Sequence, residues 1–182
     1  MYTAYLLIAF LSTTTNMTFD FGNDKAGRNW SIVNDGVMGG LSDGNVKLTD
    51  NSVIFSGSVS LENNGGFTSF RAPYDRYDLS DYDKVEVKYR STGLNCALSM
   101  DQYRRFWRPN YKMSIPSSDN EWKTLSTNLY ELSEYQMGRK TGDLMSEAAA
   151  KNTIRLGIIT DSKKAGEFML EIAYIKFFKS AD

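Results

Sequence analysis

The sequence predicts an all-β protein: one antiparallel sandwich or jelly roll, with a closed barrel as the rival and at most one short helix. Three observations carry this reading. Apolar and polar residues alternate with period two over much of the 182-residue chain, the signature of half-buried strands. Clusters of Gly, Asn, Asp and Ser punctuate the alternating runs and supply turn chemistry. Only one stretch, 143–151, reads as helix, so no repeating strand–helix unit is available to build a parallel sheet.

Along the chain, strands are expected at 17–21, 31–33 and 45–48, and then at 53–62, where the alternation is cleanest. There Val53, Phe55, Gly57, Val59 and Leu61 share one face, and Ser56, Ser58, Ser60 and Glu62 the other, as a strand with one side on a core requires. The segment 67–71 follows. At 84–90, Val85, Val87 and Tyr89 point inward while Glu86, Lys88 and Arg90 point outward. Further strands are expected at 95–101, 107–115, 122–126, 153–160 and 168–178, about eleven in all. In the helical stretch, Asp143 is placed to cap a run containing Glu147 and three alanines.

A chain of this size makes one domain, and no linker divides residues 17–180. Ahead of them, residues 5–11 form an apolar run followed by Ser12-Thr13-Thr14-Thr15. The run has the length of a signal-peptide core and is too short to span a bilayer. No Lys or Arg precedes it, no A-x-A site follows it, and Met17 is an alternative start. Residues 1–16 are thus either a signal peptide, which implies export, or a mis-assigned start, which implies a cytoplasmic protein. No other segment approaches membrane-spanning length.

Twenty-one basic residues against 22 acidic ones give no overall pull toward nucleic acid or an anionic membrane. The chain has no histidine, which excludes a Ser-His-Asp triad and every histidine-ligated metal. Cys96 is the only cysteine, so there is no intrachain disulfide and no thiolate cluster; it reads as a small buried hydrophobe on a strand. Asp75, Asp78, Asp81 and Asp83 offer oxygen ligands of the kind calcium takes, but without EF-hand spacing. No P-loop, dinucleotide fingerprint or nucleophile elbow is present. No cofactor, no bound metal and no catalytic centre are expected.

Three stretches concentrate chemistry. In 30–42, Asn34-Asp35-Gly36 favours a tight turn and Gly39-Gly40 permits close backbone approach. In 59–67, Glu62, Asn63, Asn64 and two glycines interrupt the alternation. Glu62 is the natural acid, with Asp35 as the second carboxyl that glycoside hydrolysis would need and Arg71 as the partner a merely structural role would give it. In 101–112, four aromatics interleave with four basic residues. Tyr103, Trp107 and Tyr111 could stack sugars or form an interface hot spot, or enter the core beneath the arginines.

The first two stretches, W-S-I-V-N-D-G-V-M-G-G-L-S at 30–42 and F-S-G-S-V-S-L-E-N-N-G-G-F-T-S-F-R at 55–71, resemble the paired signature of the complex I intermediate-associated protein 30 family. Gly138-Arg139, then residues 154–159 and 166–176, continue the resemblance to the C-terminus. It implies a galactose-binding-domain-like jelly-roll β-sandwich, similar in architecture to carbohydrate-binding modules. It also implies a chaperone-like assembly factor for a respiratory or other protein complex, with no catalytic residue to carry over. The leading expectation is therefore a non-catalytic binding module with a protein partner. The alternative is a carbohydrate-binding protein using an exposed aromatic, Asn and Asp surface.

Overall fold

The computed structural model describes residues 16–180, and everything said below concerns those residues. The candidate signal peptide, residues 1–16, lies outside them except for its last residue.

Thirteen strands follow in chain order: β1 (Met17–Asp20), β2 (Ser31–Asn34), β3 (Asp43–Leu48), β4 (Val53–Val59), β5 (Thr68–Arg71), β6 (Lys84–Gly93), β7 (Cys96–Asp101), β8 (Asn110–Ile115), β9 (Lys123–Asn128), β10 (Ser133–Gln136), β11 (Arg139–Leu144), β12 (Arg155–Thr160) and β13 (Gly166–Phe178). One short helix, α1 (Glu147–Lys151), precedes β12. All pairings are antiparallel. One sheet runs β3-β4-β13-β6-β9, with β1 added beside β13; the other runs β11-β10-β8-β7-β12-β5-β2. Two sheets with non-sequential neighbours make a jelly-roll sandwich and not the rival closed barrel.

The sheets meet over an apolar core. Val53, Phe55, Val85, Val87, Tyr89, Leu170 and Ile172 from the first face Phe70, Leu98, Met100, Leu156 and Ile158 from the second. Phe55 and Phe168 pack edge-to-face at 4.8 Å between centroids, and Trp30 joins Phe70 at 5.1 Å and Phe21 at 5.4 Å. Cys96 is buried among them, and burial, with Asp161 nearby, pushes its thiol up to about 12. It fills space as expected of a small hydrophobe.

Several local expectations need correction. Strand β4 stops at Val59 and Leu61 is 50 % exposed, because the chain leaves the sheet into a 3-10 turn at Glu62–Asn64. Strand β8 begins only at Asn110, where Pro109 and the preceding aromatic loop end. Asp143 lies in β11; Ser146 caps α1, its hydroxyl oxygen accepting from the Ala149 amide at 3.2 Å. The β10–β11 hairpin was not anticipated. Every residue of β11 is exposed, so no apolar alternation marks it. The four aspartates of 75–83 do not converge: Asp78 binds Ser80 and Arg76, and Asp83 binds Ser180.

Candidate functional site

Asp35 follows β2 at the start of a 3-10 turn, Asp35–Met38, and its side chain is fully buried. Its Oδ1 accepts from the Ser42 amide at 3.0 Å, while Oδ2 accepts from the Ser42 hydroxyl and from the amides of Gly66 at 2.6 Å and Phe67 at 3.2 Å. One carboxylate therefore fastens the motif at 30–42 to the motif at 55–71. The glycines serve this closeness: a Cβ at Gly40 would run into the Asp35 carboxyl, and one at Gly65 would lie 2.7 Å from its Oδ2. Burial pushes the pKa of Asp35 up, but the Ser42 hydroxyl and the three amides outweigh it and hold the carboxyl below its ordinary range. Asn34, next to it, accepts from the Thr68 hydroxyl through Oδ1.

The turn carrying Glu62 and Asn63 stands outside this corner, with both residues exposed. Asn63 takes the left-handed conformation at φ 55°, which Asn tolerates better than most residues. The Glu62 carbonyl closes the turn by accepting from the Gly65 amide at 2.8 Å, and Asn64 completes it. The pairing of Glu62 with Arg71 does not form: Arg71 donates through Nε to the Ser69 hydroxyl at 2.7 Å instead. Nor is Asp35 available as a second acid for Glu62, since it is buried and its oxygens are already engaged.

A chemically mixed surface lies on the outer face of the seven-stranded sheet. Residues of β5, β7, β8 and β12 that alternate with the core positions line a cleft of about 590 Å³, among them Arg71, Ser99, Asp101, Lys112, Arg155 and Ile159. Two ion pairs lie across it. Arg155 reaches Asp101 Oδ2 through Nε and Nη2 at 2.9 and 2.8 Å, and Lys112 reaches Asp161 at 2.7 Å. Phe67 lines one end, with the Arg71 guanidinium 6.0 Å from its ring centroid.

The loop before β8 supplies a rim: Tyr103 is 45 % exposed, Phe106 68 % and Trp107 47 %. Tyr103 and Phe106 line the cleft. Trp107 carries Arg105 at 5.5 Å and meets Phe106 edge-on, while Arg108 sits 4.3 Å from the Tyr103 centroid. The arginines thus lie on the aromatic faces, orienting both partners. Tyr111 is different. It is buried, donates to Glu134 at 3.1 Å, and has its pKa pushed up to about 12 by burial and then by Glu134. It lines a second hollow of about 750 Å³ beside α1, with Tyr103 and Gln102.

Of the nine sequence candidates, only Arg71 and Tyr103 line the cleft. Asn34 and Asp35 belong to the corner, Glu62, Asn63 and Asn64 to the turn, Trp107 to the rim and Tyr111 to the second hollow. Sequence reasoning took in Asp101 and Lys112 only as members of the 101–112 stretch and missed Arg155 and Asp161 as site residues. Alternation places Asp101 and Arg155 on the outward face of their strands, but nothing in the sequence says that β7 and β12 are neighbours.

The profile of the complex I intermediate-associated protein 30 family matches residues 19–172, the span containing the corner and the cleft. The chain belongs to this family. No curated protein matches the sequence. Among solved structures, a family 11 carbohydrate-binding module of the Clostridium thermocellum cellulase Lic26A-Cel5E is similar at a TM-score of 0.61 and 16 % identity, over 94 % of this chain and 98 % of the module. A family 29 carbohydrate-binding module is similar at 0.51 and 11 %, over 92 % and 88 %. An exo-β-agarase matches at 0.52 and 11 %, this chain spanning 26 % of that one. At such identities the likeness concerns the fold.

Proposed function

We propose that this family member is a non-catalytic binding module that takes its partner in the cleft on the seven-stranded sheet. The single observation that carries the reading is Arg71: a half-buried cation facing a roomy cleft, beside exposed rings and unmatched by any carboxylate within ion-pair distance among the described residues. Perturbed charged groups cluster at functional sites, and a cleft with a few convergent polar groups is the usual form of a binding site. The saturated Asp35 and the exposed, isolated Glu62 support a role without catalysis. Membership of the family supports a protein partner and a chaperone-like part in assembling a respiratory or other complex. Affinity purification from the native host, with wild type and with a Phe106→Ala/Tyr103→Ala rim variant, tests it. Recovery of the same respiratory-chain subunits by wild type and not by the variant is expected. A glycoside or ester substrate turned over by wild type and spared by Glu62→Gln would overturn the reading.

A second reading, a carbohydrate ligand, is favoured by one specific observation. The cleft lies in the middle of a sheet, where polar contacts come from side chains and flat apolar contacts from rings, an arrangement suited to sugar units. Titration with a glycan panel while following tryptophan emission checks it, and no saturable change with any sugar would count against it.

A further inference from the structure

We infer that the cleft recognises an acidic carbohydrate, an oligosaccharide bearing carboxylates, and that Arg71 is the group that receives the acid. The inference rests on the carbohydrate reading of the cleft and adds the charge of the sugar.

Charge is the first argument. Arg71, Arg105, Arg108, Lys112, Arg155 and Lys163 line the cleft against only Asp101 and Asp161, although the whole chain has a formal net charge of −1. Both carboxylates are already engaged, Asp101 by Arg155 and Asp161 by Lys112. What the cleft leaves unmatched is therefore positive, and clefts with low-dielectric walls focus such a field on the ligand.

Arg71 gives the charge a place. Its Nε is occupied by the Ser69 hydroxyl, which orients the guanidinium and leaves the two terminal nitrogens with no acceptor among the described residues. Burial, and then the positive Arg155, disfavour its charged form by more than Asp101 and Tyr74 favour it, so an arriving carboxylate relieves a remaining cost. The two terminal nitrogens of a guanidinium match the two oxygens of a carboxylate. Gly157 makes the approach possible. It pairs with Arg71 on one side and Ser99 on the other, and a Cβ there would lie 3.3 Å from Arg71 Cγ and 3.0 Å from Ser99 Oγ. With glycine in place, the arginine stem has room to pack against β12.

An extended acidic peptide is the rival anion, and the fold disfavours it as an added strand. The floor strands β5, β12, β7 and β8 each have a neighbour on both sides, so their main-chain groups are spent on the sheet and an extended peptide finds no edge to pair with. An acidic sugar needs none. Its hydroxyls and acids are peripheral and can be met by side chains and not by main-chain groups, while Phe67, Phe106 and Ile159 line the cleft for its apolar faces.

Isothermal titration calorimetry of the full chain with tetragalacturonate, cellotetraose and tetraglutamate tests the proposal. Wild type is expected to bind the uronate at least about tenfold more tightly than the neutral sugar, with added salt weakening only the former. Arg71→Met should reduce the preference to about threefold or less, and Arg71→Lys, which keeps the charge but not the fork, should fall between them. A melting curve confirms that each variant is folded. Equal binding of the two sugars by wild type, or an undiminished preference in both variants, overturns the acidic-sugar proposal while leaving a carbohydrate site in place. Tighter binding of tetraglutamate overturns it in favour of a peptide. No binding of either sugar at about 5 mM, a free energy near −3 kcal/mol, overturns the carbohydrate reading along with it.

Discussion

Strands β2 and β5 pair over four residues, Asn34 opposite Thr68 at one end and Ser31 opposite Arg71 at the other. Just beyond the first end sits Asp35, a carboxylate with four donors; at the second sits Arg71, a guanidinium holding a single hydroxyl. One pair of strands thus carries a closed charge and an open one. The closed charge is spent on the fold: it joins two loops, and its loss leaves buried amides without partners. The open charge contributes little to the fold, and what it can gain lies outside the chain.

The largest effect should come from opening the closed end. Asp35→Ala orphans the amides of Ser42, Gly66 and Phe67 and should lower stability by about 3 kcal/mol, or about 9 °C in Tm for a domain of this size. A urea titration showing less than about 1 kcal/mol would break the contrast. Crowding the same corner comes next. Gly65→Ala places a methyl against Asp35 Oδ2 and the Glu62 carbonyl, and a cost of about 1–3 kcal/mol is expected on the same assay.

Acid should erode the closed end in a defined direction. Because the folded pKa of Asp35 lies below its ordinary value, its contribution is complete above the unfolded-state value of about 3.9 and is lost as pH falls through the lower folded value. The urea midpoint of wild type should therefore converge on that of Asp35→Asn below about pH 4; a constant gap down to about pH 2 would contradict it.

Arg71→Met should change stability by less than about 1 kcal/mol, since the hydrogen bond to Ser69 and the attraction to Asp101 that it removes are offset by relief of burial and of repulsion from Arg155. A larger loss would make Arg71 a second structural charge and dissolve the distinction. Smallest of all, Glu62→Gln should stay within about 0.5 kcal/mol of wild type, measured alongside the others as a surface control.

What could be read in advance divides along physical lines. Alternation is local, so β4 and β6 were legible with their core faces from Val53, Phe55, Val85 and Val87, while β7 and β12 were legible as strands without their faces. The hairpin of β10 and β11 was not, because an exposed edge pair makes no demand for apolar residues. The two motifs could be recognised from the letters of 30–42 and 55–71, yet their bond through Asp35 could not. It spans 31 residues to Gly66 and depends on a burial that no local pattern reports. Arg71 and Tyr103 were legible as chemistry-bearing types. The ion pairs Asp101–Arg155 and Lys112–Asp161 required knowing that β7 lies between β8 and β12.

The long strand β13 is the last in sequence but stands inside its sheet, taking β4 along residues Gly166–Ile172, β1 along Tyr174–Phe177, and β6 along its other side. During synthesis, which proceeds at about 5–20 residues per second, β1, β4 and β6 emerge well before the strand that unites them. For those seconds the nascent chain presents unpaired sheet edges, the surfaces most prone to pair with a neighbouring polypeptide. The sheet that holds β13 can close only once this strand has been made, so its synthesis sets the earliest moment at which the two sheets can pack on each other.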